Sequence, residues 1–384
     1  MTFFIACNNK EVKIEKKEQT NTFTISGEIK GLGNTNMHFR MPDETQEQKF
    51  RWDSIIVKND KFSFTEEIET YELLQFWVNI KRITKTPNGS NGGYIPSKSN
   101  NLMLFIFPDA DVKVSGEITD FVNAYPSGDI ANDDLARLHR EIYPILNKAV
   151  NLKIKRSFEK EENKIKELRK ASREAYNEAN EIKTNFIGKN PSSIASLWYL
   201  SDMMTRSQLS DEDALKFFKK TDKKLSDISY YKEVEKRFQG IEKTKEGQLV
   251  PEIKTTSTND GVEFDLTSYR GKYVMIDFWG TWCGPCVEEM PKVSEYLEKY
   301  KGKLEILGVN SGDSKKRMND FLEKKDYKWQ QVMSVKGESS DNFVLKFNVT
   351  SFPTKFIIDP EGKIIKKYSG NSEDAFVFLD KILK

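Results

Sequence analysis

Two cysteines, Cys283 and Cys286, stand two residues apart directly behind an apolar run, and this arrangement constrains the chain more than any other feature. The stretch reads Phe278-Trp279-Gly280-Thr281-Trp282-Cys283-Gly284-Pro285-Cys286. Tyr273-Val274-Met275-Ile276-Asp277-Phe278-Trp279 before it is nearly continuously apolar, as expected of a strand buried on both faces. A helical pattern follows from about Gly284, and Pro285 suits a first turn because it lacks the N–H that would go unbonded there. Cys283 then sits where unpaired backbone N–H groups and the positive end of the helix dipole favour a thiolate. Lowering a thiol pKa from about 8.5 to about 7 takes roughly 2 kcal/mol, within reach of a helix terminus with local hydrogen bonds. Such a thiolate attacks a disulfide; Cys286, one turn into the helix, attacks the mixed disulfide and releases reduced substrate.

Other uses of the pair are weaker. A structural zinc site needs about four ligands, and only Cys7, His38 and His139 stand beside the pair, so no metal is assigned. A purely structural disulfide across so short a loop restrains little chain entropy. Redox catalysis is the better reading, with the Cys283–Cys286 disulfide itself as redox group and no further cofactor.

Residues 250–384 resemble the TlpA/ResA-like branch of the thioredoxin superfamily, bacterial periplasmic or membrane-tethered thiol-disulfide oxidoreductases. Gly261-Val262-Glu263-Phe264-Asp265-Leu266, Tyr269-Arg270-Gly271-Lys272, the strand, WCGPC and Glu288-Glu289-Met290-Pro291 follow the family order. Ser351-Phe352-Pro353-Thr354-Lys355-Phe356-Ile357-Ile358-Asp359 resembles the family's cis-proline strand. The resemblance implies that Pro353 is cis and packs opposite the cysteines, leaving the backbone at Phe352 to pair with an extended substrate. Asp277 matches thioredoxin's buried aspartate; an ionisable group in an apolar strand is costly unless used or paired, which assigns it proton exchange with Cys286. Glu289, three residues after Cys286 on the same helix face, matches a glutamate that ResA-like proteins place near their cysteines. Glu288 is read as surface charge, Trp282 as an exposed contact surface and Trp279 as packed. A peroxidase would carry proline seven residues before its reactive cysteine, where Ile276 stands.

The remaining chain is read as multidomain α+β. With 384 residues, 37% hydrophobic and 31% charged, there is room for two or three domains. A net charge of +2 gives no argument for nucleic acid or an anionic membrane. Met1-Thr2-Phe3-Phe4-Ile5-Ala6-Cys7 resembles the end of a bacterial lipoprotein signal whose charged start is missing. Residues 1–20 are therefore read as signal remnant and tether with Cys7 lipidated, a chance apolar terminus being the alternative. Residues 21–125 carry short strands separated by turn signals, such as Asn59-Asp60, and predict an antiparallel sandwich or barrel. They resemble the β-rich domain of unknown function that precedes such thioredoxin modules. Trp52, Phe76 and Trp77 are expected in its core, a peptide groove being the minority reading; residues 86–101 read as a long loop. Residues 126–245 turn helical: Asn132, Asp133 or Asp134 can cap the first helix, and Pro144 should kink or end it. The charged segment 153–183 carries one apolar stripe (Ile165, Leu168, Ala175, Ala179, Ile182), packed along one side or pairing as a coiled coil. A linker at 243–248 leads into an α/β thioredoxin-like domain over 246–384.

The function expected is thiol-disulfide exchange with protein substrates in the cell envelope, in the reducing direction and fed by a separate thiol donor. Membrane contact is expected only through the lipid anchor. The resemblance makes apocytochrome cysteines or misoxidised envelope proteins the expected substrates. The alternative is an anchored binding protein whose N-terminal domain holds a ligand.

Overall fold

Alternation of apolar and polar residues builds the N-terminal strands: in Phe23-Thr24-Ile25, the first and third residues are buried and the second is half-buried. The computed structural model describes residues 20–43, 50–78, 80, 83–88, 102–337, 339–370 and 373–384; Cys7 and most of the tether and of the expected long loop lie outside these. The first strands are β1 (Thr22–Lys30), β2 (Thr35–Pro42), β3 (Phe50–Val57), β4 (Lys61–Glu67), β5 (Glu72–Val78), β6 (Leu102–Ile106), β7 (Asp111–Ile118) and β8 (Val122–Ser127). They form two four-stranded sheets, β4-β1-β7-β8 and β3-β2-β5-β6. Phe23, Ile25, Phe39, Phe76, Leu104 and Val112 share one core between them, which makes a sandwich. It is not purely antiparallel: β1 and β7, which carry the two Ser-Gly-Glu-Ile segments, run parallel. Asn59 and Asp60 both take positive φ (49° and 69°), giving the β3–β4 hairpin its turn.

Phe76 fills the core as expected, but Trp52 does not. Residues 52, 54 and 56 point away from the face that buries Ile55 and Val57, and the Trp52 ring is exposed. It lies beside Trp77, and the Arg40 guanidinium sits 4.6 Å from the Trp52 ring centre.

Helix α1 (Ile130–Phe158) is capped by Asp129, whose side chain accepts from Asn132 N, and not by a residue of the 132–134 group. Asn132 is instead buried, accepting from Phe105 N at 2.8 Å and donating to Phe105 O at 2.9 Å. That clasp ties α1 to β6. Pro144 does not end the helix. A proline inside a helix costs about 3 kcal/mol, and the buried row Leu135, Leu138, Ile142 and Leu146 on either side of it outweighs that cost. The charged segment is likewise not one helix. It breaks at 159–161 and α2 (Glu162–Lys189) folds back on α1, burying Leu168, Ala175 and Ala179 along it. The apolar stripe is thus used within the chain. Helices α3 (Ile194–Thr205), α4 (Asp211–Phe218) and α5 (Ser229–Lys243) follow, with Ser210 capping α4. His139 is a packing residue: its ring stacks on Tyr143, Nε2 lies 2.8 Å from the Tyr199 hydroxyl, and burial pushes its pKa down to about 3.

The C-terminal part comprises β9 (Lys254–Thr255), β10 (Phe264–Asp265), β11 (Tyr273–Trp279), α6 (Gly284–Lys299), β12 (Leu304–Ser311), α7 (Lys315–Lys325), β13 (Gln330–Ser334), α8 (Phe343–Lys346), β14 (Thr354–Ile358), β15 (Ile364–Ser369) and α9 (Glu373–Leu383). The five-stranded sheet runs β13-β12-β11-β14-β15. β11, at its centre, is parallel to β12 and antiparallel to β14. Ile276 and Phe278 bury into one core, whereas Met275 and Trp279 face the other, where both cysteines lie. The segment joining α5 to this domain is hydrogen-bonded to its terminal hairpin, Gly247 N donating to Ile364 O at 2.8 Å and Val250 N to Gly362 O at 2.9 Å.

Candidate active site

The site starts where β11 stops. Cys283 is the N-cap residue of α6, and its Sγ accepts from Cys286 N at 3.2 Å. This is the position at which a sulfur is best placed to receive a helix's unpaired donors. Cys283 and Cys286 form a disulfide, with Cα atoms 5.3 Å apart, and both are buried in this oxidised state.

The loop that delivers the pair is held from β12 and the turn after it. Asp313 Oδ2 accepts from Thr281 N at 2.7 Å and from Asn310 Nδ2 at 2.9 Å, and Oδ1 accepts from Thr281 Oγ1 at 2.6 Å. The carboxylate therefore fixes the turn two residues ahead of the reactive sulfur. Sequence reasoning missed it, because nothing local links residue 313 to residue 281.

Trp282 is 51% exposed, yet its ring is fixed. Nε1 donates to Ser311 O at 2.8 Å, and a Cβ built at Gly280 would stand only 2.4 Å from that nitrogen. Glycine at 280 is what lets the indole lie down. Phe352 meets Trp282 edge-on with ring centres 5.2 Å apart, and the Phe352–Pro353 peptide is cis. Trp279 is buried and donates to Gln331 Oε1 at 2.9 Å.

Asp277 lies on the same strand face as Met275 and Trp279, the face that α6 covers with Cys286 and Met290. Directly across the antiparallel register stands Lys355 of β14. Its Nζ donates to Asp277 Oδ1 at 2.8 Å and to Glu289 Oε2 at 3.0 Å. The Lys355 side chain is 0% exposed, that of Asp277 4% and that of Glu289 19%. One buried cation thus joins both acids singled out in the sequence, and only Glu289 reaches solvent to any extent. Burial, reinforced by the nearby charge of Glu289, raises the Asp277 pKa above the ordinary 3.8 against the pull of Lys355. Burial works to lower Lys355, but the two carboxylates prevail and hold it above 10.5. A carboxyl raised in this way is poised to take and return a proton nearer neutral pH. Glu288 is exposed and outside the cluster.

The structure therefore brings Cys283, Cys286, Asp277, Glu289, Trp282, Phe352 and Pro353 to one end of one sheet. It adds Lys355 and Asp313, which the sequence reading did not select. Among the described residues, no group of His, Cys, Asp and Glu is arranged to hold a metal ion.

Residues 247–367 match the AhpC/TSA family, and residues 23–135 match the Domain of unknown function (DUF4369). Thiol-disulfide oxidoreductase ResA of Bacillus subtilis is 32% identical over 141 residues, which cover 36% of this chain and 76% of that protein. The chain belongs to the ResA-like thiol-disulfide oxidoreductases. ResA of Geobacillus thermodenitrificans is 37% identical over 139 residues, covering 35% of this chain and 77% of the relative. Among solved structures, the thioredoxin domain of a thiol-disulfide oxidoreductase from Bacteroides vulgatus aligns over 36% of this chain and 99% of its own length, at 25% identity and a TM-score of 0.33. The AhpC/TSA match falls on the C-terminal domain, and the likeness to ResA identifies a thioredoxin-fold enzyme that exchanges dithiols with disulfides. The sandwich and the helical segment are additions to that unit.

Proposed function

We propose that this oxidoreductase reduces disulfides of protein substrates in the bacterial cell envelope, tethered through a lipidated Cys7 and recharged by a separate thiol donor. The observation that carries the mechanism is Cys283 at the N-cap of α6, with the Asp277–Lys355–Glu289 cluster on the sheet face that α6 covers. In the reduced protein, the Cys283 thiolate attacks one sulfur of the substrate disulfide; a mixed disulfide forms and the other substrate sulfur leaves as a thiolate. The Cys286 thiol gives its proton to Asp277 and attacks Cys283 Sγ, so the second substrate sulfur leaves as a thiolate and the Cys283–Cys286 disulfide seen here results. Two electrons have passed to the substrate, and a donor dithiol returns them by the reverse exchange.

Substrate is held as an extended segment on the backbone ahead of cis-Pro353, with Phe352 and Trp282 as its apolar contacts. Apocytochrome cysteines and misoxidised envelope proteins are the substrates this reading favours, since each offers a protein disulfide to be reduced. A Cys286→Ser protein is expected to accumulate mixed disulfides on Cys283, recovered from envelope extract and identified by mass spectrometry after reduction. Cys283→Ser should trap none. Equal trapping by both variants, or by neither, contradicts the assignment of nucleophile and resolving cysteine.

A further inference from the structure

We propose that the turn between α3 and α4, residues 206–210, is a second wall of the substrate groove, so that the helical segment contacts the polypeptide flanking the reacting disulfide. This rests on the reading that substrate pairs with the backbone ahead of Pro353. Three points of the helical segment bracket the chain leading to that proline. Ser207 Oγ lies 3.2 Å from Thr350 Oγ1, two residues before Phe352. Lys367 of β15 donates to Asn348 O at 3.1 Å and is near enough to Asp211, in the first turn of α4, to feel its charge. Gly240 of α5 packs against the backbone behind: a Cβ there would stand 2.9 Å from Lys346 O, 3.0 Å from Leu345 O and 3.2 Å from Asn348 N. Only glycine allows that approach, so α5 sits directly on α8 and the turn after it, from which the chain runs on to Thr350, Phe352 and Pro353.

The turn is also accessible. Arg206 and Ser207 are exposed, with Arg206 held by Asp202 at 2.8 Å and Ser207 kept at φ 52°. An extended substrate advances about 3.3 Å per residue. A strand paired at Phe352 and continuing past Thr350 therefore meets Ser207 within two or three residues of its cysteine. The occupant is the substrate polypeptide itself, because Ser207 touches Thr350, two residues from the Phe352 backbone on which substrate pairs.

The test uses the full chain carrying Cys286→Ser. A peptide disulfide, with a photoreactive residue two or three positions from its cysteine, is attached to Cys283 as a mixed disulfide, illuminated and mapped. Failure to form the mixed disulfide defeats the functional reading and the wall with it, before any illumination. Once it forms, labelling within 206–210 supports the wall, and labelling confined to other segments overturns it. In a second measurement, reduced full-length Ser207→Trp should react with the peptide disulfide more slowly by at least about fivefold, and with hydroxyethyl disulfide at the unaltered rate. Slowing of both reagents together, or of neither, overturns the proposal.

Discussion

Replacing Lys355 by methionine should destabilise the catalytic domain by about 3–5 kcal/mol at neutral pH, the usual cost of removing one partner from a buried ion pair. The residue is 0% exposed and answers two carboxylates, so little solvent screening reduces the figure. Its loss leaves Asp277 and Glu289 as like charges with no cation between them, and Asp277 has no water to turn to. The deficit should shrink on acidification, because protonating Asp277 removes the buried charge. Adding Asp277→Asn should restore part of the loss at neutral pH, since the two sites are coupled. Urea unfolding of the single and double variants at two pH values, followed through the buried Trp279, checks this. Equal losses at both pH values and no rescue by Asn would mean that Lys355 serves only as packing.

Asp277→Asn should act mainly on rate. Positioned general acid–base groups contribute about 10²–10⁴-fold, and the lower end is expected at neutral pH, where a fraction of Cys286 ionises unaided. Wild-type resolution of the mixed disulfide should rise with pH through the raised Asp277 value and then level. The variant should lose that inflection and climb only toward the ordinary thiol range near about 8.5. Stability carries a matching sign. Because the folded carboxyl lies above 3.8, its contribution is complete below that pH and is lost as pH rises through the folded value. The variant therefore gains on wild type across that window. Stopped-flow fluorescence of single turnovers gives the rates; an unchanged pH profile would remove Asp277 from the proton path.

The limits of the sequence are visible in particular residues. The β11–α6 unit was readable because continuous apolar character, a proline at the helix start and the cysteine spacing all point the same way. Lys355 was not, although a signal existed: Asp277 and Lys355 are opposite charges inside two apolar strands, each costly to bury alone, which argues for their pairing across a sheet. Only the register made them neighbours. Asp313 had no such signal, since its contact with Thr281 joins loops 32 residues apart. In the helical segment, local rules gave way to packing. Pro144 sits inside α1 because the rows around it are buried, and the break at 159–161 falls where a hairpin lets the apolar stripe of α2 cover α1. The parallel pairing of β1 and β7 was unreadable for the same reason, as strand alternation reports faces and not neighbours. Trp52, by contrast, could have been placed outside from alternation alone, by counting from Ile55 and Val57.

The measurement that bears most directly on the reductase assignment is the reduction potential of the Cys283–Cys286 pair, equilibrated against glutathione or dithiothreitol in the full-length protein. A value near about −270 mV is expected, which makes the dithiol a donor to most protein disulfides. A value near about −120 mV would contradict the assignment and make the protein an oxidant of newly exported thiols.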